Sequence, residues 1–178
     1  MSSDATEVEF EYMGIEELEE IPRRNVTVVR FHSSVTEVST NMFRECYRLK
    51  KVVLNEGLLQ IGSGSFNDCT NLEHINLPST LVEIGHYAFQ DCNRLEIVLN
   101  EGLQKIGDSS FWRCYSLKSI TFPSTITKVS GRAFCWCSRL EIVILNEGLQ
   151  IIGKSAFSSC SSLERITIPF TVTEIDAF

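Results

Sequence analysis

The chain has 178 residues, of which 43% are hydrophobic and 22% charged, and a formal net charge of −7. This length suits one domain with a substantial core, and no apolar run approaches the roughly 18 residues that a membrane helix needs. All 16 basic residues and 15 of the 23 acids lie after residue 20, so the body is near neutral and lacks the clustered positive charge of a nucleic-acid binder.

Residues 1–25 are predicted to form an acidic N-terminal segment and cap. "EVEFEYMG" (Glu7–Gly14) alternates Val8, Phe10 and Tyr12 with glutamates, the period of a half-buried strand. "IEELEEIP" would make one helical turn presenting Ile15, Leu18 and Ile21, ended by Pro22. A repeat stack needs such a cover, because its last coil is an unpaired sheet edge. The glutamates would also discourage end-to-end stacking, so a monomer is expected. With neither a basic n-region nor an apolar h-region at the start, a cytoplasmic location is the expectation.

Residues 26–178 carry an internal repeat. Phe43, Phe66, Phe89, Phe111, Phe134 and Phe157 are spaced by 23, 23, 22, 23 and 23 residues. A cysteine follows each at +3 (Cys46, Cys69, Cys92, Cys114, Cys137, Cys160) and a leucine at +6. Next comes an apolar pair one residue apart, such as Ile75/Leu77 or Val143/Leu145. Alternation of this kind predicts a strand with the pair turned inward. No such unit hides its apolar residues alone; stacked on copies of itself, it forms continuous internal columns. Seven coils about 4.8 Å apart would span roughly 30 Å. "AFxxC" is too short for a lone helix and predicts a single helical or 3-10 turn at each corner.

The single 22-residue step reflects one residue fewer between Leu95 and Ile97. A deletion within the strand would turn its apolar face outward, so the missing residue belongs in the turn before it. The turns come in two chemistries. "NEG" occurs at Asn55–Gly57, Asn100–Gly102 and Asn146–Gly148, whereas Pro78, Pro123 and Pro169 begin the alternate turns. Proline presets φ near −65°, and Gly57, Gly102 and Gly148 are expected to supply positive φ. A cation held by Glu56, Glu101 and Glu147 is disfavoured, since alternate coils lie about 10 Å apart.

The stretch "LEHINLPSTLVEIGHYAFQDC" (Leu72–Cys92) resembles the BspA-like, treponemal-type leucine-rich repeat, and the resemblance covers residues 26–178. It implies a leucine-rich-repeat solenoid: a right-handed coil of about seven rungs, mostly parallel β with short helical or 3-10 corners. It also implies a protein-interaction role and transfers no catalytic residue. "EIDAF" (Glu174–Phe178) is two residues shorter than "EIGHYAF" (Glu83–Phe89), which predicts a C-terminal cap or a truncated coil.

The chemistry-bearing residues give little sign of catalysis. Six of the seven cysteines sit in the inner phase and are expected to be buried, reduced thiols. Cys135, in "FCWC", breaks that phase and is expected to be exposed and oxidisable; a C-x-C pair lacks zinc-site spacing. His32, His74 and His86 fall at different phases and should not converge, so no catalytic residue, metal or cofactor is expected. Two surfaces remain as partner-binding candidates. One is the outward face of the strands, with Val53, His74, Val98, Ile142 and Ile144, where "IVIL" places isoleucine at both outward positions. The other is a corner with Trp112, Arg113, Tyr115, Arg132, Trp136 and Arg139, the residue types that dominate interface energetics. The expected function is a non-catalytic module presenting these surfaces to a protein; the alternative is a structural or adhesive spacer within a longer surface array.

Overall fold

The computed structural model describes residues 7–14 and 24–176. The proposed helical turn at Ile15, Leu18 and Ile21 and the ending at Ala177–Phe178 lie outside them. The strands in chain order are β1 (Glu9–Tyr12), β2 (Val28–Phe31), β3 (Glu37–Val38), β4 (Lys51–Val53), β5 (Gln60–Ile61), β6 (His74–Asn76) and β7 (Glu83–Ile84). They continue as β8 (Lys105–Ile106), β9 (Ser119–Thr121), β10 (Lys128–Val129), β11 (Ile142–Ile144), β12 (Ile151–Ile152), β13 (Arg165–Thr167) and β14 (Glu174–Ile175). Every pairing is parallel; from β2 onward each joins residues one repeat apart, as in Val52↔Ile75 and Val143↔Ile166, while β1 pairs with β2 as in Phe10↔Val29. The chain is therefore a parallel solenoid of seven coils, with β1 added in front of the first.

Two faces result. The first carries β1-β2-β4-β6 and then β9-β11-β13; the second carries β3-β5-β7-β8 and then β10-β12-β14. Between them runs the corner that holds the Phe–Cys columns. Phe43, Phe66, Phe89, Phe111 and Phe134 are fully buried. Successive rings stack at 5.0–5.6 Å with planes within 12° of parallel. At the N-terminal end Tyr12 and Phe31 set their edges against Phe43.

The corners differ from the expected helical or 3-10 turn: the described residues contain no helix. In coil 3 the amides of Ala88, Gln90 and Cys92 bond within the corner, to Gly85, Tyr87 and Phe89. Those of Tyr87, Phe89 and Asp91 instead donate to Asp108, Ser110 and Trp112 of the next coil. A helix would turn all its amides inward on itself. Alternation requires left-handed backbone two residues before and after each phenylalanine, as at Tyr87 (φ 56°) and Asp91 (φ 57°). The same places recur from Asn41 to Ser159, and only Gly64 fills one with glycine.

The two turn chemistries are structural stitches. Asn55 and Asn100 donate their side-chain amides to the carbonyls of Val35 and Leu81, each at 2.9 Å, on the preceding coil. In the alternate turns Thr80 and Thr171 donate to Leu58 and Leu149 at 2.8 and 2.7 Å. Among the three glycines only Gly57 has positive φ, at 107°. Gly102 is required for space instead, since a Cβ there would meet the Ser79 carbonyl oxygen at 2.6 Å. At Gly148 a Cβ would lie 3.0 Å from Asn146 Oδ1.

Candidate interaction surfaces

The outward positions of the first face are mostly exposed, as the period demands; Val28, 4% exposed, is the exception. Val53 is half-buried on β4 and His74 exposed on β6. Ile142 is half-buried and Ile144 54% exposed on β11. Val98 is 83% exposed. These residues do not share one continuous sheet, because the first face is interrupted between β6 and β9.

The interruption originates in the short coil, Leu95–Cys114. Its inward phase is intact, with Ile97 and Leu99 each 7% exposed, as a deletion in the turn requires. Strand pairing is lost nonetheless. On the first face its one contact of ladder type is the bridge His74↔Glu96, and the amides of Ile97, Val98 and Leu99 make no backbone hydrogen bond; on the second face β8 still pairs with β7. One residue fewer removes about 3.3 Å of path, so this segment cannot follow the line its neighbours take. A groove of about 670 Å³ opens over it, lined by β6, by Glu96–Asn100 and by Ser116–Ser119. The second face breaks at the same level, between β8 and β10, over a smaller depression of about 340 Å³. Only the corner crosses the break with regular backbone bonds, from Ser109, Phe111 and Arg113 to Gly131, Ala133 and Cys135.

At the second candidate surface, the guanidinium of Arg113 lies 4.3 Å above the Trp112 ring and 3.8 Å from Asp91. Trp112, Arg113 and Tyr115 are half-buried, while Arg132 and Arg139 are exposed and Trp136 is 49% exposed. Arg113, Arg132 and Trp136 all occupy left-handed positions of the corner. Arg113 is thus already engaged with its neighbours, and Trp136 carries the exposed aromatic area.

Cys135 departs from expectation. It is 6% exposed, not a surface thiol, because it sits in the corner beside Trp112, Ser158 and Arg132. Burial raises its pKa, an effect opposed by Arg132 and by hydrogen bonds from its neighbours. All seven cysteines are buried, and no disulfide joins any of them. His32, His74 and His86 stand on separate elements, and no group of three or more His, Cys, Asp or Glu among the described residues could hold a metal. No helix among them is long and apolar enough to cross a membrane.

The family model for the "BspA type Leucine rich repeat region" matches residues 23–100 and 82–178, in six copies. The chain belongs to this family. Among solved structures, the BspA-type chain is similar to a leucine-rich repeat protein of T. pallidum, at 27% identity and a TM-score of 0.73 over 78% of this chain and 65% of that one. A leucine-rich repeat protein from Bacteroides ovatus matches at 28% and 0.65, over 85% of this chain and 45% of that one. A leucine rich cell surface protein from Faecalibacterium prausnitzii matches at 28% and 0.61, over 84% and 35%. The BspA-type chain therefore spans two thirds or less of each of these relatives. No curated protein matches it.

The groove is the feature missed in reading the repeat. Its lining residues Asn76, Asn100, Lys118 and Ser119 carry no distinguishing chemistry in the sequence; the signal is the 22-residue step, from which phase predicts burial but not pairing.

Proposed function

We propose that this BspA-type module is a non-catalytic interaction domain that binds another protein through the first face. The observation that carries the reading is the exposure of Val98 and Ile144, 83% and 54%, beside core columns that are almost wholly buried. Exposed apolar side chains on an otherwise regular, preorganised sheet favour contact without a large ordering cost. Family membership supports the same reading. The corner at Trp136 is the second contact zone.

The test is affinity capture from the native host, comparing wild type with Ile142→Ser/Ile144→Ser and with Trp112→Ala/Trp136→Ala. Partner recovery should fall in the variants while thermal unfolding remains cooperative; equal recovery by both would sink the assignment. A second reading, a spacer within a longer surface array, is favoured by Ile168, Phe170 and Ile175, which are 41%, 103% and 56% exposed on the last coil. Under that reading, adding a further coil after residue 176 raises the unfolding midpoint and the double variants change nothing in capture.

A further inference from the structure

We propose that the groove over the short coil is a slot for one extended segment of a partner protein, bound as an added strand between β6 and β9. This rests on the interaction reading above and names the partner's form.

The slot has the dimensions and the chemistry of a missing strand. β6 and β9 flank a single intervening coil, so their edges stand about two strand spacings, roughly 10 Å, apart. Within the coil stack, Glu141 and Ile142 both donate their amides to the carbonyl of Lys118 at 2.8 and 3.2 Å, and Glu164 and Arg165 repeat this toward Glu141. Lys118 and Ser119 occupy the same places one coil earlier and have no such acceptor. Phe122 donates to Ile144, so by alternation Thr121 turns its amide the opposite way, toward the slot. On the floor, the Val98 amide would meet the Ile75 carbonyl in a paired strand and makes no backbone bond. A row of strand donors and acceptors at strand spacing is satisfied by one ligand class, an extended polypeptide backbone.

The occupant's side chains follow from the walls. Those turned inward meet Val98, so alternate residues must be small. Proline is excluded where an amide must reach β9. Lys118 on the wall and Glu96 on the floor have no ion-pair partner among the described residues, so an acid set against the first and a base against the second complete the charge match.

Phage-displayed random linear decapeptides, selected on the full chain, test this. Enriched peptides should lack proline at the core and carry small residues at alternate positions. Methylating alternate backbone amides should weaken them at least tenfold. Two variants should weaken them as strongly: one serine inserted after Glu96, which restores the 23-residue step and the paired strand, and Val98→Trp, which fills the slot from an exposed position. No enrichment, unchanged binding to both variants, or indifference to methylation would each overturn the slot. Concentration-dependent self-association abolished by Val98→Trp would also overturn it, by making a second copy the occupant. Partner capture that survives Val98→Trp but fails in Ile142→Ser/Ile144→Ser would remove the slot and leave the interaction reading standing. The reverse pattern would keep the slot and remove the isoleucine surface.

Discussion

Cys92 directs its thiol at the carbonyl oxygen of Phe66 on the preceding coil, 3.1 Å away. The same contact recurs from Cys69 to Phe43, Cys114 to Phe89, Cys137 to Phe111 and Cys160 to Phe134, at 3.1–3.2 Å. Each of these carbonyls already accepts the amide of the cysteine three residues on, for example Cys69 at 3.1 Å from Phe66. The thiol is thus a second, weak donor that also fills the corner as a small apolar group. Replacing Cys92 with Ala leaves the carbonyl partnered and should cost about 1–2 kcal/mol, read as a lowered urea midpoint with an unchanged slope. Cys92→Leu should cost more, because overpacking in one coil is passed to the stacked neighbours. Equal stability of Cys92→Leu and wild type would mean that the column is loose.

Phe89 lies at the centre of the aromatic column, 5.4 Å from both Phe66 and Phe111 and fully buried. Phe89→Ala should cost about 3–5 kcal/mol, whereas Phe157→Ala, on a half-buried ring with a stacked neighbour on one side, should cost visibly less. Chemical unfolding of the pair checks the ordering, and a loss below about 1 kcal/mol at Phe89 would contradict the stacking energetics.

Phe89 and Cys92 were legible in the sequence because a repeat writes each core column six times over, and burial needs only phase. What escaped depends on the path of the backbone. The left-handed corner residues include Asn41, Tyr87 and Arg132, none of them glycine; their conformation is imposed by amides shared with the next coil. The break at Glu96–Asn100 was invisible for a related reason. Ile97 and Leu99 keep the right period, and pairing is decided by where the strand lies, which periodicity does not encode. Cys135 looked exposed by phase and is covered by Trp112 and Ser158.

Tyr87 puts a number on the corner's strain. It holds φ at 56° with its side chain 48% exposed, so substitutions there report the backbone more than packing. Tyr87→Val should destabilise by about 1–2 kcal/mol, because a β-branched residue tolerates left-handed φ poorly. Tyr87→Asn should be close to neutral, since asparagine enters that region readily. Thermal unfolding of the two variants decides it; identical midpoints would mean that the alternating corner is not maintained in solution.

The thiol column also sets an alkaline limit to stability. Burial raises the pKa of Cys69, Cys92, Cys114 and Cys137 well above the ordinary thiol value, and that of the less enclosed Cys160 to about 11. The unfolded chain ionises these groups near the ordinary thiol value of 9.0, so above that pH it binds fewer protons than the fold does. Stability must then fall as pH rises. The thiol contribution is complete below about pH 8 and diminishes from about pH 9 upward, through the value of Cys160 and beyond. Urea midpoints at pH 7, 8.5 and 10 should fall most between the last two, and the Cys92→Ala/Cys114→Ala variant should lose less over that interval than wild type does. Equal losses would mean that the buried thiols do not set the alkaline transition.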